Sequence, residues 1–165
     1  HLKMIRALKK MEESVKNRAV LIVPMTYPKG QDLYIESVAA ELKDCGISYR
    51  ILTDYMNPKA MAEMEMMADV LITVQKTDQL SSTMLENMYA GKVVIAGRWL
   101  PYENLREKGL FFLSVDEIEE LAESVPEVVT NYQAYRDKCL SNKCIVHEMS
   151  SWDMAVERWR GLWTE

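Results

Sequence analysis

The feature that most constrains this chain is its alternation. Short runs rich in Val, Ile and Leu take turns with longer segments in which apolar residues recur every three or four positions. The runs are Ala19–Met25, Ser48–Thr53, Asp69–Val74, Lys92–Ala96 and Leu110–Ser114. Runs this short and this rich in Val, Ile and Leu read as buried parallel strands. Between them lie predicted helices: about Leu2–Lys16, from Asp32 to the glycine at 46, Pro58–Ala68, Ser82–Ala90, a short one around Tyr102–Lys108, and Asp116–Val125. Their boundaries carry the expected chemistry. Gly46, Gly91 and Gly109 stand where helices end, and Asn57-Pro58 supplies a cap and a first-turn proline. Strand–helix alternation of this kind predicts an α/β fold with a doubly wound parallel sheet. The length of 165 residues predicts one domain on a prior of roughly 150 residues each, with a helical C-terminal segment from about Tyr132.

A parallel sheet usually opens on a strand, yet this chain opens on a helix and its first residue is His1. The expectation is a piece of a longer protein whose sheet lacks its first strand. Exchange between two chains would fill such a gap, which leaves a homodimer open. The net charge of −5 and the absence of a dense basic tract argue against nucleic acid as a partner. No apolar run approaches the ~20 residues of a membrane span, and no signal-peptide pattern is visible. Three cysteines give an odd count, so free thiols are expected. Cys139, Cys144 and His147 fit no zinc spacing and lack a fourth ligand nearby, so no metal is expected. Trp152, Val156, Trp159 and Trp163 form a helical stripe, read as packing or as a contact with a further lobe.

Open α/β sheets bind ligands beyond the carboxyl ends of their strands. The loops there contain no GxGxxG and no GxxxxGK[ST], and the histidines lie in no hydrolase motif. The stretch from Asp78 to Glu86 remains as the richest in chemistry. Ser81, Ser82 and Thr83 bring hydroxyls and N–H groups to a helix N-terminus, which suits a phosphate. Glu86 lies one turn from Ser82 on the same face, where a carboxylate can accept from ribose hydroxyls. The alternative is that the serines only cap the helix and Glu86 is a surface residue. Tyr27 and Lys29 follow the first run and could meet a phosphate or sugar. Tyr55 and Met56 follow the second, where a base could pack, although a solvated turn and hydrophobic packing are the alternatives.

Ala68-Asp69-Val70-Leu71-Ile72, followed by Asp78, Glu86-Asn87-Met88-Tyr89-Ala90-Gly91-Lys92 and Val93-Val94-Ile95, resembles the nucleotide-sugar lobe of GT-B glycosyltransferases, family 4 in particular. Asp78 and Glu86 match the two acidic positions of that family's E-x7-E motif. Ser150-Ser151-Trp152 is similar to the segment opening its closing helix. His1, Ala7-Leu8, Val23-Pro24-Met25, Tyr27-Pro28, Tyr34-Ile35 and Val38 resemble the fucosamine transferases of enterobacterial common antigen synthesis. That family also has the GT-B fold, and it uses a dTDP-linked amino sugar and a lipid-linked acceptor. Its members carry a glycine-rich strand just before the histidine that His1 matches. The resemblance implies a Rossmann-like C-terminal donor-binding lobe of a glycosyltransferase, acting on a nucleoside-diphosphate sugar and a glycan or lipid-linked acceptor. It implies catalytic roles for Asp78, at the donor sugar, and Glu86, at the ribose. Gln79, Ser81, Ser82 and Thr83 would line the donor, with the last three on its diphosphate. It also implies a cytoplasmic enzyme, with attachment at the inner face of the cell membrane as a further expectation, and a piece that binds without catalysing. A non-catalytic scaffold of the same fold and a UDP-sugar 2-epimerase-like enzyme stay open.

Overall fold

A computed structural model describes residues 1–27 and 30–163 of the chain. In chain order its elements are α1 (Leu2–Leu8), α2 (Glu13–Lys16), β1 (Val20–Pro24), α3 (Asp32–Cys45), β2 (Ser48–Leu52), α4 (Pro58–Met67), β3 (Val70–Thr73) and α5 (Ser82–Tyr89). There follow β4 (Val93–Gly97), α6 (Glu103–Glu107), β5 (Leu113–Val115), a 3-10 turn at Ile118–Glu120, α7 (Leu121–Thr130), α8 (Tyr132–Cys139), α9 (Asn142–Ser150) and α10 (Trp152–Trp163). The class is α/β with parallel strands, as the alternation implies. Contacts gather the chain into two compact units. No helix among the described residues is long and apolar enough to cross a membrane.

The first unit comprises His1–Met64 with Val115–Tyr132. Here β1 and β2 pair in parallel, Val20 opposite Ser48 through Pro24 opposite Leu52. The apolar stripe of α3 buries Val38, Leu42 and Cys45, and Gly46 ends the helix at φ 79°, a left-handed conformation open to glycine. Against α3 packs α1, through Ile5, Ala7 and Leu8. Ion pairs Arg6–Glu41 (3.0 Å) and Lys9–Asp44 edge that contact. The predicted helix Leu2–Lys16 is broken between α1 and α2, with Glu12 extended at φ −64°, ψ 146°. The break keeps Leu8, Met11 and Val15 buried on either side, so the periodicity could not reveal it. Conversely, α7 begins later than predicted and runs through Pro126, burying Leu121, Val125 and Val128.

The second unit comprises Glu65–Ser114 and the segment from Gln133 onward. Its sheet has the order β3-β4-β5, with β3 parallel to β4 in the register Val70–Val93 through Thr73–Ala96. Every residue of β4 is buried. Met84 and Met88 of α5 are fully buried in the same core, a gain of about 1.5–3 kcal/mol for each side chain. The last strand is shorter than its apolar run, because the Asn142 side chain takes both backbone groups of Phe111. Phe111 N–H donates to Asn142 Oδ1 and Asn142 Nδ2 donates to the Phe111 carbonyl, each at 2.8 Å. Those two bonds tie the Phe111 backbone to α9 ahead of β5. The C-terminal segment is three helices, with α9 packed on α5 and α10 on α9. Ser151, extended at φ −68°, ψ 148°, caps α10 by accepting from the Met154 N–H. The tryptophan stripe of α10 is not core: Trp152, Trp159 and Trp163 are exposed and the helix buries no residue.

Candidate functional site

The site is built at the carboxyl end of β3, within the second unit. A chain of hydrogen bonds leads from the strand into the loop that follows. Thr73 Oγ1 donates to Gln75 Oε1 (2.7 Å), and Gln75 Nε2 donates to Asp78 Oδ2 (2.5 Å). The other oxygen, Asp78 Oδ1, accepts from the Gln79 N–H at 2.8 Å. From below, the hydroxyl of Tyr102 donates to Asp78 Oδ2 at 2.5 Å, while its ring sits in the core, edge-on to Phe112. Trp99 closes the far side, its Nε1–H donating to the Gln75 carbonyl at 2.9 Å. Trp99 can lie there only because residue 97 has no side chain. A Cβ on Gly97 would meet three atoms of the Trp99 ring at 2.4 to 2.7 Å.

These contacts set the electrostatics. The Tyr102 hydrogen bond, with the Gln79 N–H and Gln75 behind it, holds the Asp78 carboxyl below its ordinary value against a partial desolvation. Burial, and then the Asp78 charge, push the Tyr102 phenol up, so it stays a proton donor throughout the accessible pH range. Asp78 is thus an ionised group with both oxygens engaged by the protein. It organises the loop.

The loop delivers the chain to α5. Ser81, extended at φ −73°, ψ 120°, is the N-cap, its Oγ accepting from the Met84 N–H at 3.3 Å. The N–H groups of Ser82 and Thr83, ahead of that capped position, face out of the helix end. Ser82 and Gln79 are exposed, and Thr83 is half-buried. Asn87, itself buried, clamps the first turn by donating to the Thr83 carbonyl at 2.9 Å. Glu86 is exposed on the face one turn beyond Ser82.

Behind Glu86 lies a residue the sequence reading missed. Glu65, near the end of α4, is buried and faces the Glu86 carboxyl. Desolvation, and then the Glu86 charge, push its carboxyl up to about 7. A glutamate set among Met64, Met66 and Met67 is the one sequence signal that could have pointed to it. Tyr102 and Trp99 are the other participants that the sequence left unmarked.

Asp78, Gln79, Ser81, Ser82, Thr83 and Glu86 therefore share one loop and helix end. Tyr27, Tyr55 and Met56 belong to the first unit, just after β1 and β2. Tyr27 and Tyr55 are highly exposed and Met56 is half-buried. Lys29 lies outside the described residues. All three cysteines are free, and among the described residues no group of three or more His, Cys, Asp or Glu side chains is gathered to hold a metal.

The fold has solved counterparts. The chain superposes on the Anabaena protein HepE, solved in complex with UDP, with a TM-score of 0.77 and 15% identity over 99% of this chain and 44% of that one. It superposes on WaaG, a glycosyltransferase involved in lipopolysaccharide biosynthesis, with a TM-score of 0.70 and 16% identity over 94% of this chain and 41% of that one. The Rossmann-like α/β fold of GT-B glycosyltransferase domains is thus the fold of this chain, which spans less than half the length of either structure. No protein-family model matches it, and no curated protein matches it.

Proposed function

We propose that this chain is the donor-binding lobe of a glycosyltransferase that moves a sugar from a nucleoside diphosphate to a glycan or lipid-linked acceptor. The observation that carries the reading is the pairing of an open helix N-terminus at Ser82 and Thr83 with an exposed carboxylate, Glu86, one turn away at the carboxyl end of a parallel strand. The complex of the similarly folded HepE with UDP supports it. In this reading the N–H groups of Ser82 and Thr83 bind the diphosphate. They would stabilise the negative charge that develops on it as the sugar leaves, together with the positive end of the helix. Glu86 accepts from the ribose hydroxyls. Exposed Lys76, in the same loop, adds a positive charge. Asp78 holds the loop in place, a different role from the contact with the donor sugar that its position in the sequence suggests. The group that deprotonates the acceptor would come from the rest of a larger enzyme, so this piece binds without turning over.

The test is a calorimetric or NMR titration of the chain with UDP, dTDP, GDP and ADP. Saturable binding of one of them is expected. Glu86→Ala should weaken it about ten- to a hundredfold, the worth of charge-assisted hydrogen bonds of about 1.5–3 kcal/mol. Ser82→Ala keeps the backbone N–H in place and should cost less. A folded chain that binds none of the four, or a Glu86→Ala variant that binds as well as the parent, refutes the reading.

A further inference from the structure

Glu65 poses a problem that the proposed site answers. It is 7% exposed, and its Oε1 is shielded from solvent with no hydrogen-bond partner. A buried carboxylate left in that state is costly. The polar group that meets Glu65 is another carboxyl, that of Glu86. Two carboxyl groups can hydrogen-bond only if one of them keeps its proton. Glu86 is exposed and Glu65 is not, so the proton resides on Glu65.

We propose that Glu65 is a positioning residue: as a neutral acid it donates to Glu86, fixes the direction in which the Glu86 oxygens meet the ribose diol of a nucleotide, and so ties nucleotide affinity to its own protonation. The proposal rests on the reading of Glu86 as the ribose ligand. When Glu65 ionises, the shared hydrogen bond is lost and two negative charges stand side by side, so Glu86 is turned away from the position a ligand needs.

The other charged groups on the surrounding elements do not take over this role. On α4, Lys59 and Glu63 face each other at 3.8 Å. Lys92, ahead of β4, donates to the Met66 carbonyl. On α9, which packs against α5, Lys143 lies over the Tyr89 ring, and His147 and Glu148 are exposed. Neither β3 nor β4 carries a charged residue. The titration of Glu65 near pH 7 is governed by burial and by Glu86. If only the protonated form is competent, the apparent dissociation constant rises as the reciprocal of the protonated fraction, which is about tenfold by pH 8.

The experiment measures UDP binding to the 165-residue chain and to its Glu65→Gln variant from pH 5.5 to 8.5. The glutamine amide donates to Glu86 but does not titrate. The ratio of parent to variant dissociation constants is expected to be near one at pH 5.5 and about ten at pH 8. Taking the ratio cancels the titration of the UDP phosphate. A ratio that does not change with pH overturns the proposal. Carboxyl carbon NMR of the free chain provides the second measurement. A Glu65 midpoint near 7 that falls in Glu86→Gln is expected, and a midpoint in the ordinary glutamate range overturns the pairing without reference to any ligand. Absence of UDP binding at every pH, with the NMR midpoint still raised, would instead locate the failure in the donor-site reading.

Discussion

Replacing Tyr102 with phenylalanine isolates the bond that anchors the site loop. The ring is 2% exposed and packs edge-to-face on Phe112 with centroids 6.5 Å apart, contacts that phenylalanine reproduces. What the substitution removes is the hydroxyl that donates to Asp78 at 2.5 Å. A hydrogen bond to a charged partner contributes about 1.5–3 kcal/mol. Asp78 is only half-buried and water can replace part of what it loses, so about 1.5 kcal/mol is expected. For a chain of this size that corresponds to a fall in Tm of about 3–6 °C. The loss must also depend on pH, with a definite sign. The native contacts hold the Asp78 carboxyl below its ordinary 3.8, so their stabilisation is present above that value and disappears as pH falls through the lowered one. The Tyr102 phenol stays protonated over this range and adds no pH dependence of its own. Thermal unfolding of parent and Tyr102→Phe should therefore differ most at neutral pH and converge in acid. Faster amide exchange at Gln79 should accompany the loss. Equal Tm values at pH 7, or a difference that persists unchanged in acid, would refute the argument.

Two further substitutions test how the second unit is held. Asn142→Ala removes both hydrogen bonds to the backbone of Phe111 and leaves a buried gap, because Asn142 is 0% exposed. A loss of about 2–4 kcal/mol in urea unfolding is expected, and a cost below 1 kcal/mol would contradict the account of the shortened strand. Gly97→Ala places a methyl inside the Trp99 ring, and should cost about 1–3 kcal/mol and shift the Trp99 indole N–H resonance as the bond to Gln75 breaks. An unmoved indole resonance would show that the ring does not need the space.

The strands were legible because their signal is local. β4 lies within the predicted run Lys92–Ala96 to one residue, since an unbroken Val-Val-Ile-Ala stretch has no amphipathic alternative at that length. Gly46 was equally legible, because a left-handed helix end needs a glycine wherever the helix is placed. The failures arose where distant residues decided. The end of the last strand was set by Asn142, far along the chain from Phe111, and the break after α1 by burial on both of its sides. The site divides in the same way. Asp78, the serines and Glu86 could be seen as polar residues at a strand end. Nothing in the sequence marked Tyr102 or Glu65, which acquire their roles only from tertiary contact with Asp78 and Glu86.

The course of the loop also decides how an anion could be held there. Loops that cradle phosphates with successive N–H groups need residues in the left-handed region, which glycine supplies. Gln75 to Ser81 contains no glycine, and no described residue other than glycine has a positive φ. The backbone thus reaches α5 by ordinary conformations, and hydrogen bonds from Tyr102, Gln75 and Trp99 do the holding that a glycine turn would otherwise do by its shape. Such a loop makes no nest of its own. The N–H groups free to meet a phosphate are those of Ser82 and Thr83, whose direction is fixed by the helix. A diphosphate would then lie along the extension of the α5 axis, with the nucleoside leading back over the first turn toward Glu86. Capping by Ser81 and clamping by Asn87 stiffen the same turn, so the N–H groups and the Glu86 carboxylate share one rigid frame. In that frame the proposed proton on Glu65 would set the direction in which Glu86 points.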